Sequence, residues 1–201
     1  MPDPSSETDP LSVDEGITLT HRAPTVRGSA VFVVATLLFA SLFWLSPKPV
    51  ELSLVLFLNL AALSWYDLHY FRLPNLLTAT LALASIALLV TVPQSDFVDH
   101  VTGGLVGLAF FPLLNFVYQM VRGRSGIGLG DAKLLGGIGL WLGWQSLPFV
   151  LLTASVTALA VVSLFMLFAS SENRKQAVKK PVPFGVFLSI GAWSIWLFPF
   201  A

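Results

Sequence analysis

Two aspartates stand where a largely apolar chain is least able to carry charge. Asp131 follows Gly128-Leu129-Gly130 at the mouth of one apolar stretch, and Asp67 lies at the end of another. Charge beside a bilayer is costly, so an ionisable residue there marks a candidate functional site. Two carboxylates held close together cannot both ionise easily and therefore share a proton. One can then act as general base towards water while the other, protonated, donates to a carbonyl oxygen. Peptide-bond hydrolysis by this route needs neither a metal nor a covalent nucleophile. The structural alternative is that Asp131 caps a helix over 133–144 and Asp67 closes a helix at headgroup level, since aspartate is a favoured N-cap. The two roles are compatible.

Glycine and proline surround these positions. Gly126, Gly128 and Gly130 alternate before Asp131, removing side chains where an extended substrate would approach the backbone. A flexible inter-helix loop explains the same pattern. Gly139 with Gly143, and Gly103, Gly104 and Gly107, read as small-residue stripes for close helix packing. Pro74 suits a helix first turn, where its missing N–H costs nothing. Pro181-Val182-Pro183-Phe184-Gly185 leads into the last apolar stretch. His21, His69 and His100 show no ligand spacing, and no cysteine is present, so no metal site, disulfide or thiol nucleophile is expected.

The elements that must position these residues are membrane helices. The chain is 55% hydrophobic and 11% charged, with mean hydropathy +0.79. A soluble domain carries about 25% charged residues, so the expected fold class is all-α, a polytopic integral membrane helical bundle. A span needs about 20 mostly apolar residues. Candidates are 29–46, 49–66, 74–93, 101–121, 147–169 and 183–200. The segment 133–144 is short, ~17 Å at 1.5 Å per residue. Counting it as a span gives seven transmembrane helices; treating it as re-entrant gives six. Residues 1–28 are polar, acidic and proline-containing, and are expected to form a retained, disordered cytoplasmic tail ahead of a membrane domain over 29–201.

Charge asymmetry favours seven spans. With the N-terminus inside, Arg22, Arg27, Arg72, Arg122, Arg124, Lys133, Arg174, Lys175, Lys179 and Lys180 fall on the cytoplasmic side, and only Lys48 falls outside. The basic cluster 174–180 acts as a topology determinant, with lipid headgroup contact secondary. Two complete crossings separate Asp67 from Asp131. An even number of crossings returns the chain to its starting side, so both aspartates are expected at the cytoplasmic boundary.

Gly128-Leu129-Gly130-Asp131-Ala132-Lys133, running on to Trp141-Leu142-Gly143-Trp144, resembles the G-x-G-D-x-K signature of type IV prepilin peptidases. Asp67 with Leu73-Pro74-Asn75, and Pro183-Phe184-Gly185-Val186-Phe187, are similar to that family's first aspartate and its closing Pro-Phe-Gly element. The three motifs stand in the family's order over roughly 60–200. The resemblance implies a GxGD aspartic endopeptidase in the bacterial inner membrane. Such an enzyme cuts the basic leader from prepilins or pseudopilins after a glycine, at the cytoplasmic face. It implies Asp67 and Asp131 as the catalytic pair, and Gly128, Gly130, Lys133, Pro183, Phe184 and Gly185 as site-shaping or substrate-binding. Of these, Lys133 matches a family position without a more specific role. Many members carry a Cys-x-x-Cys zinc domain associated with N-methylation. Without a cysteine, the expectation here is a short form with no cofactor, and N-methyltransferase activity is in doubt. Tyr66-Asp67 and Gly-Leu-Gly-Asp also resemble presenilin-like proteases, whose Pro-Ala-Leu motif is absent. The expected partners are prepilin or pseudopilin precursors and membrane lipid, with no nucleic acid. From other classes, an ion- or proton-coupled transporter and an inactive assembly subunit of a pilus or secretion system are the alternatives.

Overall fold

The computed structural model describes residues 49–91, 97–123, 128–168 and 182–198. Among the described residues the secondary structure is helical throughout: α1 (Val50–Tyr70), α2 (Asn75–Thr91), α3 (Phe97–Arg122), α4 (Leu129–Leu142), a 3-10 turn (Trp144–Ser146), α5 (Leu147–Phe168) and α6 (Phe184–Leu197). Val50–Tyr70, Phe97–Arg122 and the continuous stretch Trp144–Phe168 are each long and apolar enough to cross a membrane. The chain is a helical membrane bundle. The expected span 29–46, the polar tail, Gly126 and the basic cluster 174–180 lie outside the described residues.

Helix α4 is the centre of the bundle. It packs most extensively on α3, then on α2, with α6 and α5 also against it; α6 in turn packs on α5 and α1. Its residues Ala132, Leu134, Leu135, Ile138 and Trp141 are buried, as are Gly136, Gly137 and Gly139 between them. A helix that is apolar all round belongs inside. At 14 residues, α4 is about 21 Å long by the helical rise, and its neighbours cover it along its length. By contrast, α3 and α5 turn Leu105, Leu113, Val121, Leu159 and Phe168 outward, the apolar exterior that lipid requires.

Small residues make this packing possible. A Cβ on Gly107 would lie 2.5 Å from the Leu135 carbonyl oxygen, and one on Gly103 would lie 2.7 Å from the Trp144 nitrogen. A Cβ on Gly139 would meet the Gly103 backbone. Gly103, Gly104, Gly107 and Gly139 are thus packing glycines. Gly143 is not: it ends α4 at φ 82°, a conformation that glycine adopts without strain, and it leads into the 3-10 turn. Two buried hydroxyl contacts add cross-links. Ser85 donates to the Gly137 carbonyl at 3.2 Å, and Trp196 Nε1 donates to Ser53 Oγ at 2.9 Å.

Candidate active site

Helix α1 runs one turn beyond Asp67, which is 5% exposed, and ends at Phe71. Phe71 takes the left-handed conformation (φ 51°, ψ 32°), and its N–H donates to the Asp67 carbonyl at 2.9 Å. This cap turns the chain sharply into Leu73-Pro74. Pro74 cannot continue a preceding helix, and its carbonyl accepts the first bond of α2 from Thr78 N–H at 3.2 Å. The Leu-Pro-Asn segment is thereby folded back beside Asp67.

Asp131 is the third residue of α4, half-buried in the first turn. The expected helix over 133–144 begins earlier than its residue types suggest, at Leu129, with Gly128 as the N-cap and no side-chain cap. Asp131 therefore does not cap the helix, which corrects the structural alternative drawn from sequence. Glycine favours a loop on propensity alone, yet the helix includes Gly130, whose Cβ position lies against Leu73. A carboxylate in the first turn sits well with the positive end of the helix dipole.

The third wall comes from α6. Pro183 is its N-cap, so the N–H groups of Gly185 and Val186 lie in its unsatisfied first turn and face the Asp67 carboxylate. Of the two Asp67 oxygens, Oδ2 is buried without a hydrogen-bond partner. Gly185 permits this approach: a Cβ there would lie 2.8 Å from Asp67 Oδ2 and 3.2 Å from its Cγ. Gly130 serves a different neighbour, because its Cβ would lie 3.2 Å from Leu73 Cβ. Gly128 is more open, the nearest atom being Asp131 Oδ2 at 3.8 Å.

Asp67 and Asp131 face one cleft of about 640 Å³ and interact electrostatically across it. Gly128, Gly130, Pro183 and Phe184 line the same space. Lys133 does not line it. Its ammonium donates to Asn75 Oδ1 at 2.6 Å on the exposed side of the α2–α4 contact. Phe71, Arg72, Leu73, Phe111, Leu129 and Val182 complete the lining. Phe111 was not legible as a site residue. It arrives from the middle of α3 and meets Phe184 edge-on, centroids 6.0 Å apart, and only its neighbour Pro112 hints at anything unusual there. Arg72 was legible only as a topology charge. Among the described residues, no group of three or more His, Cys, Asp or Glu side chains is arranged to hold a metal ion. What the cleft offers is two carboxylates, Arg72, helix N–H donors and apolar walls.

A model of the type IV leader peptidase family matches residues 54–163, a stretch that contains both aspartates. A prepilin leader peptidase/N-methyltransferase from Pectobacterium carotovorum subsp. carotovorum is 31% identical over 173 residues, covering 85% of this chain and 60% of that protein. Proteins of the same name from Aeromonas salmonicida and Burkholderia pseudomallei (strain K96243) are each 36% identical, over 135 and 132 residues, or 67% and 66% of this chain. These alignments cover 44% and 41% of the two relatives. The chain thus spans about half the length of the curated relatives it matches. No solved structure matches it significantly.

Proposed function

The chain belongs to the type IV leader peptidase family, and from that premise we propose that it is a membrane aspartic endopeptidase. Its substrates are prepilin or pseudopilin precursors, cut after the glycine that ends their leader. The reading is carried by one observation: Asp67 and Asp131, from different helices, face a single cleft and interact there.

In this mechanism a water molecule lies between the two carboxyl groups. The ionised one takes a proton from the water as its oxygen attacks the scissile carbonyl carbon. The protonated one donates to the carbonyl oxygen, giving a neutral tetrahedral intermediate. Return of a proton to the amide nitrogen breaks the C–N bond and releases the leader. The first-turn N–H groups of Gly185 and Val186 hold the Asp67 carboxylate in place, a preorganised arrangement that needs no rearrangement during reaction. The apolar walls accept the hydrophobic start of the mature protein.

Positive-inside counting supports a cleft on the cytoplasmic side, and the family supports the bacterial inner membrane as its location. The proposed organisation is a membrane peptidase domain over 29–201, preceded by the polar tail 1–28. The proposal takes up only the peptidase half of the relatives' name. It invokes no cofactor.

Co-expression with a type IV prepilin, read by mass spectrometry of the pilin, tests the reading. The wild type should remove the leader, and Asp67→Asn and Asp131→Asn should each abolish removal while still inserting in the membrane. Full processing by either variant sinks the two-aspartate mechanism. A wild type that leaves several prepilins intact favours transport or scaffolding.

A further inference from the structure

We infer that Lys133 and Asn75 form a polar clamp that sets the spacing of the two aspartates, which makes Lys133 a positioning residue. The inference rests on the peptidase reading above and adds a role for a residue that has none there.

Lys133 follows Asp131 by two positions, and side chains two apart on a helix do not face each other. It therefore points away from the cleft, and its ammonium makes no ion pair with either carboxylate. Its partner is a neutral amide: Nζ donates to Asn75 Oδ1 at 2.6 Å, a short charge-assisted bond between the fifth residue of α4 and the first residue of α2. The Asn75 backbone is already committed, with its carbonyl accepting from Thr78 Oγ1 at 3.1 Å. The side-chain oxygen is thus presented to Lys133 from a fixed base.

What this bond secures is Leu73, two residues before Asn75. Leu73 packs where a Cβ on Gly130 would lie 3.2 Å from its own Cβ, directly before Asp131. Its Cδ1 also lies 3.3 Å from the Cβ position of Gly185, whose N–H faces Asp67. Leu73 is therefore a wedge between the starts of α4 and α6, touching the supports of both carboxylates. Drawing Asn75 towards α4 seats that wedge. A neutral acceptor does so without adding a third negative charge next to the pair. The bond is exposed and lies at the start of α2, whereas a second polar tie between α2 and α4, Ser85 to the Gly137 carbonyl, lies deeper in the bundle.

The test uses full-length protein in vesicles with a purified type IV prepilin. Lys133→Met and Asn75→Leu should each lower kcat about ten- to hundredfold, the cost of a small misplacement of reacting groups, with KM little changed. The double variant should be no worse than either single one, as expected for two ends of one interaction. Lys133→Arg, which keeps a donor, should restore activity. The cysteine-free chain also permits a spin-label pair at Leu76→Cys and Leu129→Cys, positions 76% and 65% exposed. The distance distribution between these labels should broaden when Lys133→Met is added. Wild-type kcat in Lys133→Met, additive losses in the double variant, or an unchanged distance distribution overturns the clamp. A wild type that leaves the prepilin intact refutes the peptidase reading instead, and the label distances still decide for or against the clamp.

Discussion

Replacing Gly185 by alanine adds one methyl group at the point where α6 meets Asp67. The new Cβ would lie 2.8 Å from Asp67 Oδ2, about 0.6 Å inside ordinary contact distance, and 3.2 Å from Cγ. Neither side yields easily. Asp67 is itself buried, and Leu73 closes the other flank at 3.3 Å from the same Cβ position. The carboxylate must retreat by roughly half an ångström and loses its contact with the α6 N–H groups. A misplacement of about 1 Å costs some hundredfold in rate, so Gly185→Ala should lower kcat ten- to hundredfold, or about 1.4–2.7 kcal/mol in the barrier. Overpacking should also destabilise the fold by about 1–3 kcal/mol. The assay is prepilin cleavage in vesicles, paired with thermal unfolding in detergent to separate the two effects. Gly128→Ala provides the comparison, because the nearest atom to its Cβ position is 3.8 Å away and its loss should be the smaller. Full activity in Gly185→Ala, or a larger loss in Gly128→Ala, would refute the claim that this glycine exists to admit the carboxylate.

Asp67→Asn and Asp131→Asn should each remove cleavage without affecting membrane insertion, as measured by pilin mass and by membrane fractionation. Lys133→Met and Asn75→Leu should lower kcat non-additively, and spin-label distances should broaden with them. Gly139→Val would drive side-chain atoms into the Gly103 backbone, and failure to form a stable bundle should appear as loss of a thermal transition. Phe111→Ala should cost about 3 kcal/mol of stability and lower cleavage as well, since its ring braces Phe184 at the start of α6; unfolding and activity assays on one preparation check both.

Much of the fold was legible because lipid imposes a simple rule on sequence. A spanning segment must satisfy its own backbone, so long apolar runs have to be helices. The expected spans 49–66, 74–93, 101–121, 147–169 and 183–200 fall on the helices α1, α2, α3, α5 and α6, of which α1, α3 and α5 with its preceding turn are long and apolar enough to cross a membrane, while α2 and α6 are shorter apolar helices. The start of α4 was misjudged, because Gly128-Leu129-Gly130 reads as loop by propensity, whereas only Gly128 is extended, as the N-cap, and the helix begins at Leu129. Gly143 was misjudged for the converse reason. Its spacing from Gly139 fits a packing stripe, but a positive φ is a backbone property that no spacing announces.

By itself, the sequence determined that the chain is apolar and helical, led to the expectation of an even number of crossings between two aspartates, and carried glycine and proline motifs that resemble those of a peptidase family. Parity of crossings sets the side of the membrane but carries no distance. Only the tertiary structure brought Asp67 and Asp131 to one cleft, aimed the N–H groups of α6 at Asp67, brought Phe111 in from α3 and tied Lys133 to Asn75. Each of these joins residues from different helices, and such contacts arise from how helices pack, which local residue preferences do not encode. Gly-Leu-Gly-Asp identifies one carboxylate; the fold supplies its partner, Asp67, and the glycine at the head of α6 that admits it.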